Sequence, residues 1–137
     1  RENHAEIWSQ RIPSEEDIKD LRSLLEYADL NVNMCSTMSL DFMLFDKPVI
    51  NTVFGNPENG LYDDQRFLNF DHYKKVVDSG AVTIAKNEIE LICQINKALT
   101  NAKERTIQRK VMIDLQVSES LAGTSRRIAT ILSHIND

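Results

Sequence analysis

The sequence predicts an α/β fold in which helices cover a parallel sheet. Three observations support this prediction. Segments with apolar residues at helical spacing alternate with short apolar segments that are rich in β-branched residues. Several of the helical segments begin at a capping residue. Gly or Pro separates many of the segments. Because alternating strands and helices need crossover connections, the strands are expected to run parallel.

The first helix is predicted over residues 15–28. Ser14 and Asp17 have the spacing of a capping box, and the acidic residues of the first turn suit the positive end of a helix. Residues 1–13 show no clear period and are treated as an irregular lead-in. Three- and four-residue spacing predicts that one face of this helix is buried, with Ile18, Leu21, Leu24, Leu25 and Ala28.

A strand, a tight turn and a second helix are predicted next. Apolar residues alternate through residues 29–34, which is typical of a strand. Small polar residues follow at once, and Ser36 or Thr37 is expected to cap the next helix. That helix must end before Pro48, because the residue ahead of a proline avoids the α conformation.

The central part of the chain repeats the pattern. Residues 48–54 predict a second strand, and residues 55–70 form a long polar loop of the kind that often carries function. A helix over 72–78 ends at Gly80, and residues 81–85 predict a third strand.

The remaining chain is predicted to be helical. Asn87 caps a helix with Glu90 at the third position, and further helices are expected over 103–116 and 119–135. The whole order predicts one domain over residues 1–137, a Rossmann-like three-layer sandwich. Its core is expected to contain two apolar sets, Leu44 with Phe45, and Ile89, Ile92, Ile95 and Leu99.

Composition narrows the function classes. A net charge of −5 disfavours nucleic-acid binding, which usually needs a basic patch. The two cysteines have no metal-ligand spacing, so neither a zinc site nor a disulfide scaffold is expected, and a cytoplasmic protein is the simplest interpretation. Neither GxGxxG nor GxxxxGK[ST] occurs, so dinucleotide oxidoreductases and P-loop NTPases lack their main sequence support.

The strand-turn-helix at residues 29–46 is the best candidate for a ligand site. In parallel α/β sheets, ligands bind where strands end and helices begin. The hydroxyls of Ser36, Thr37 and Ser39, with the backbone N–H groups of the first helical turn, could hold a diphosphate. Asp41 lies one turn further and could accept hydrogen bonds from sugar or ribose hydroxyls. Plain N-capping with a solvated Asp41 is the alternative explanation of the same residues.

Two other features are open to a functional interpretation. Cys35 precedes a helix, a position that can lower the pKa of a thiol, but no partner base is evident and a buried core thiol is favoured. Arg126 and Arg127 could contact phosphate or an anionic membrane, although a solvated helix face is the favoured interpretation.

The run ADLNVNMCSTMSLDFMLFDKPVINTVF resembles the donor-binding segment of GT-B glycosyltransferases, especially those of bacterial surface-polysaccharide synthesis. Related patterns occur in CDP-glycerol glycerophosphotransferases and UDP-N-acetylglucosamine 2-epimerases. In these families an acid stands seven residues before the proline of a (G/D)-K-P-V-I strand start. Here Asp41 is the acid and residues 46–50 are the strand start. The sequence departs from many members in having Ser-Thr for Gly-Gly or Gly-Ala, and Asp for Glu.

The resemblance implies that the chain is one half of a GT-B fold. It implies that the turn from Ser36 to Met38 cradles a donor diphosphate and that Asp41 contacts ribose. The loop after the second strand would face the donor, with Asn69 and His72 as its contacts and His72 as a stabiliser of the departing phosphate.

The function that this resemblance implies is binding of a nucleotide-diphosphate sugar for transfer to a surface-glycan or lipid-linked acceptor. No metal or other cofactor is expected. The acceptor site and the general base would come from an N-terminal domain that this chain lacks, so the chain alone is expected to be inactive. The full-length protein would be cytoplasmic, or peripheral at the inner face of the membrane. The alternatives are an epimerase or glycerophosphotransferase half-domain and a non-catalytic α/β docking module.

Overall fold

The computed structural model describes residues 12–54, 68–117 and 120–135. Within these residues helices and strands alternate as predicted and are followed by two terminal helices. The elements are α1 (Glu15–Tyr27), β1 (Asn31–Asn33), α2 (Met38–Leu44), β2 (Val49–Thr52), α3 (Asp71–Asp78), β3 (Thr83–Ala85), α4 (Glu88–Thr100), α5 (Thr106–Val117) and α6 (Thr124–His134).

The described strands form one parallel sheet in the order β1-β2-β3. Asn33 pairs in register with Asn51, and Thr52 pairs with Ala85. The α/β prediction with a parallel, Rossmann-like sheet is therefore confirmed. Each strand is shorter than its predicted segment, because only the residues that reach a neighbouring strand are part of the ladder. Most of the lead-in and the loop over 55–67 lie outside the described residues.

The main core lies between the sheet and α1, α2, α3 and α5. Val49 contributes to it from β2, whereas the next residue, Ile50, is buried outside this cluster. Because side chains alternate along a strand, Ile50 points to the opposite face, where α4 packs against β2 and β3. The core cluster consists of Leu25, Phe42, Met43, Val49, Tyr73, Val76, Ala81, Val82 and Met112.

The predicted capping signals are confirmed at three places. The Ser14 hydroxyl accepts a hydrogen bond from the Asp17 N–H at 3.1 Å, and the Asp17 carboxylate accepts the Ser14 N–H in return. Asn87 Oδ1 accepts the Glu90 N–H at 2.8 Å. Gly80 has φ +70°, the left-handed conformation expected of a residue just past a helix end. Local chemistry therefore determines where these helices begin and end.

The predicted core face of α4 is wrong. Ile89, at 82 % exposure, Ile92 and Leu99 face away from the sheet, and the half-buried side of the helix carries Leu91, Ile95 and Ala98 instead. The segment has two overlapping apolar stripes, and helical periodicity does not tell which of them contacts the sheet.

Two other predicted core sets are also largely exposed. In α1 only Leu25 is buried; Ile18, Leu21 and Leu24 are exposed. Leu44 and Phe45, at 39 % and 38 % exposure, lie at the end of α2, whereas Phe42 and Met43 enter the core. The three strands among the described residues are short and cover only a narrow strip of each helix, so a second apolar stripe stays uncovered.

An ion pair between half-buried Asp46 and buried Arg109 joins the end of α2 to α5. Asp46, just after α2, has φ +52°. Its carboxylate accepts hydrogen bonds from Arg109 Nε at 2.7 Å, Lys103 Nζ at 2.6 Å and Thr106 Oγ1 at 3.0 Å. Arg109 is only 2 % exposed and also donates to the Ala102 carbonyl at 2.8 Å. A buried guanidinium needs a compensating charge, which Asp46 supplies.

Among the helices of the described residues, none is long and apolar enough to cross a bilayer.

We expect Asp46→Asn to lower the free energy of unfolding by about 3 kcal/mol at neutral pH, because it leaves Arg109 buried without a counter-charge. Burial alone raises the pKa of Asp46, but hydrogen bonds from Lys103, Arg109 and Thr106 and the charge of Arg109 hold that pKa below its ordinary value. The stabilisation is therefore complete above the pKa of the unfolded state, about 4, and is lost as the pH falls further.

Urea unfolding of the wild type and Asp46→Asn across this acidic range measures the effect as a gap in unfolding free energy. The gap should close as the pH falls below about 4. Arg22→Met, which removes an exposed guanidinium from α1, is the control and should leave stability nearly unchanged. A difference in unfolding free energy that stays constant down to acidic pH contradicts the assignment of Asp46 as the counter-charge of Arg109.

Candidate functional site

The turn between β1 and α2 is held by side chains that bond to its own backbone. Asn33 ends β1, and its Oδ1 accepts the Ser36 N–H at 2.9 Å. Cys35, inside the turn, has φ +55°, a conformation that is unusual for a residue other than glycine. The Ser36 hydroxyl accepts the Met38 N–H at 3.2 Å. The path of the backbone here depends on Asn33.

Beneath the turn lies a buried polar network, which consists of Asn33, Ser39, Asn51 and Tyr73. The Tyr73 hydroxyl donates to Asn51 Oδ1 at 2.9 Å and lies 2.7 Å from Ser39 Oγ. Asn51 Nδ2 donates to Asn33 Oδ1 at 3.0 Å. Asn51 and Ser39 have no exposed surface. Within the described residues, every buried side-chain nitrogen and oxygen has a hydrogen-bond partner.

The network determines which side of β1 faces inward. An alternating strand usually buries its apolar side, which here carries Val32 and Met34. Instead Asn33 faces inward to the network, and Val32 and Met34 are exposed. The physical reason is that Asn51 and Ser39 offer hydrogen-bond partners on that side, which an apolar side chain would leave unsatisfied.

The expected capping of α2 by Ser36 or Thr37 takes a different form. Thr37 occupies the cap position, but its backbone is already helical and its side chain does not cap the helix. The Ser36 hydroxyl satisfies the Met38 N–H one position earlier. As a result, Thr37 presents an exposed side chain whose hydroxyl is not used for capping.

The other predicted residues of this segment lie in different environments. Met38 is half-buried and packs against the core. Ser39 is fully buried, and its hydroxyl bonds within the buried polar network. Asp41 is half-buried in the first turn of α2, four residues after Thr37 and therefore on the same side of the helix.

Asn69 and His72 lie where the chain enters α3. Both are exposed, and the His72 ring lies 5.8 Å from the Phe70 ring, tilted by 32°. The next residue, Tyr73, bonds to Ser39 in α2. The structure therefore brings the first turn of α3 beside the first turn of α2, although 33 residues separate His72 from Ser39 in sequence.

Cys35 does not have the environment of a reactive thiol. Burial raises the pKa of Cys35, so the thiol stays protonated at neutral pH. Proximity to a short helix does not offset the loss of solvent. Elsewhere in the described parts of the chain, no group of three or more His, Cys, Asp or Glu side chains could hold a metal ion.

Comparison with known proteins gives one match. Residues 4–133 match the family model described as CDP-glycerol:poly(glycerophosphate) glycerophosphotransferase. The chain belongs to this family. No curated protein and no solved structure matches it. Membership in this family supports a glycosyltransferase-type function. The matched residues include the turn, the buried polar network and the start of α3.

Sequence reasoning missed three residues of the site, namely Asn33, Asn51 and Tyr73. The sequence did contain a signal for Asn33 and Asn51, because asparagine is rare in strands. A buried asparagine in a strand needs hydrogen-bond partners for its amide. Nothing in the sequence pointed to Tyr73 as the partner of Asn51, since Tyr73 belongs to an amphipathic helix and its ring is a normal core residue.

We expect Asn51→Leu to destabilise the glycerophosphotransferase-family chain by about 2–3 kcal/mol, because Asn33 and Tyr73 each lose a buried hydrogen-bond partner. Leucine keeps the number of heavy atoms and the branching of asparagine, although its methyl groups are larger, so the effect mainly reports lost hydrogen bonds. Thermal and urea unfolding measure it. Asn96→Leu, at an exposed position of α4, is the matched control. Equal stability of the two variants would show that the network contributes nothing to folding.

Proposed function

We propose that this chain is the donor-binding part of a glycerophosphotransferase and that the turn from Ser36 to Met38 binds the diphosphate of a CDP-linked donor. The family match over residues 4–133 carries the proposal, because that family is described by transfer from CDP-glycerol. The match favours transfer of glycerophosphate over the transfer of a sugar that the sequence alone suggested.

The turn has the chemistry that a diphosphate needs. Ser36 and Thr37 provide hydroxyl donors, and Thr37 is exposed with its hydroxyl not used to cap α2. The N–H groups of Ser36, Met38 and Ser39 are bonded within the turn, so the two hydroxyls are the proposed contacts to the phosphates. Ser39 belongs to the proposed site through its contacts with Asn33 and Tyr73, since its own hydroxyl is buried.

The reaction that follows from this donor can be written with its atoms balanced. The oxygen of an acceptor hydroxyl attacks the phosphorus that carries glycerol. The phosphoanhydride bond breaks, and CMP leaves with the bonding electron pair. The proton of the acceptor passes to a base, which we assign to a part of the enzyme outside these residues. Sugar transfer would instead release a nucleoside diphosphate, so the nucleotide product distinguishes the two reactions.

His72 and Asn69 are proposed to contact the donor phosphates from the opposite side. Tyr73 holds the start of α3 against α2, so an exposed His72 stands at the same end of the sheet as Ser36. A neutral or protonated imidazole there would donate to a phosphate oxygen and stabilise the charge of departing CMP. No metal ion is assigned to this step.

We expect calorimetry to show that the chain binds CDP more tightly than UDP or GDP. We expect the Ser36→Ala/Thr37→Ala variant to bind CDP at least about tenfold more weakly, because hydrogen bonds to a charged group are worth about 1.5–3 kcal/mol each. Ser125→Ala/Thr130→Ala, at exposed positions of α6, is the matched control. If the double variant binds CDP as tightly as the wild type, the diphosphate site is misplaced.

We expect Asp41 to bind the ribose of the donor. In the wild type, 2′-deoxy-CDP should bind about tenfold more weakly than CDP, because the carboxylate loses a hydrogen-bond donor. Asp41→Ala should remove most of this difference between the two nucleotides. Asp114→Ala, an exposed acid in α5, should keep it. A difference that persists in Asp41→Ala assigns the ribose to another residue.

A further inference from the structure

The ring and the hydroxyl of Tyr73 have different roles in the structure. Its ring is buried in the core cluster, a role that phenylalanine would fill equally well. Its hydroxyl, by contrast, is placed inside the protein at a cost in desolvation, and that burial raises the pKa of Tyr73. The hydroxyl is tolerated because Asn51 and Ser39 both bond to it.

The hydrogen bonds of the network have a defined direction. The Tyr73 hydroxyl donates to Asn51 Oδ1, so the amide group of Asn51 is oriented with Nδ2 toward Asn33. Asn33 Oδ1 then accepts from Asn51 and, on its other lone pair, from the Ser36 N–H. Ser39 Oγ, the other partner of the Tyr73 hydroxyl, accepts a hydrogen bond from Asn33 Nδ2 at 3.1 Å. The Tyr73 hydroxyl on α3 therefore supports Asn33 through two side chains, Asn51 and Ser39.

The turn needs such support. Cys35 occupies the left-handed region, which costs energy for a side chain with a Cβ and persists only where the surroundings enforce it. The bond from Ser36 to Asn33 follows directly after this residue. If Asn33 lost part of its support, this anchor of the Ser36 backbone would weaken and the path of residues 34–37 would be less firmly held.

We infer that Tyr73 is a positioning residue for the donor diphosphate, acting on Ser36 through Asn51 and Asn33, and that it couples this turn to the start of α3. The inference rests on the proposed function, since it concerns the same site. It adds a residue that does not contact the donor. It also explains how one hydroxyl can align the two sides of the site, the turn that carries Ser36 and the helix start that carries His72.

The test is a double-mutant cycle on CDP affinity, measured by calorimetry on the 137-residue chain. Tyr73→Phe keeps the ring and removes the hydroxyl, and we expect it to weaken CDP binding about tenfold. In a Ser36→Ala background the same substitution should cost only about threefold, because the Ser36 hydroxyl is gone while Thr37 and His72 remain. A role in stability alone would give equal losses in both backgrounds.

Two further variants complete the design. Tyr27→Phe, an exposed tyrosine of α1, should leave CDP affinity unchanged. Asn51→Ser removes the amide that joins Tyr73 to Asn33, so it serves the same cycle if Tyr73→Phe does not fold. An additive cycle, or no loss of affinity in Tyr73→Phe, overturns the inference while the proposed function stands. Failure of the wild type to bind CDP overturns both.

Discussion

The amide of Asn51 has no access to water, and this constraint organises the functional end of the molecule. An amide in the middle strand of a sheet must find all its partners within the protein, because an unbonded polar group there is costly. Asn33, on the neighbouring strand, and Tyr73, on α3, provide them. Their bonds bring three elements together at the carboxyl end of the sheet, where parallel α/β proteins bind ligands. The hydrogen bonds that stabilise the fold therefore also shape the candidate site.

The sequence predicts well those parts of the fold that depend on neighbouring residues. The capping box at Ser14 and the left-handed Gly80 involve groups only a few residues apart, so their patterns are visible in the chain. The exposed stripe of α4 is different, because the choice between Ile92 and Leu91 depends on where β2 and β3 lie. Tertiary contacts decide such questions, and a helical period contains no information about them.

The candidate site likewise contains residues that local sequence predicts and one residue that it does not predict. Ser36, Thr37 and Asp41 lie within one strand-turn-helix unit, so their common location follows from local sequence. Tyr73 enters only because α3 folds back beside α2, and its contact with Ser39 spans 34 residues. Inferring it from sequence would have required recognising that Asn51, a poor strand former among apolar neighbours, must have a distant partner.

The left-handed backbone at Asp46 has a consequence for how this position can vary among related chains. The strand-start pattern of the resembling families begins with either Gly or Asp, and a φ of +52° accounts for both, since glycine adopts it freely and aspartate tolerates it. The two choices are not equivalent for α5. A glycine would suit the backbone yet leave Arg109 buried without its carboxylate. Chains with glycine at position 46 are therefore expected to carry an uncharged residue at position 109, so that two residues 63 positions apart change together.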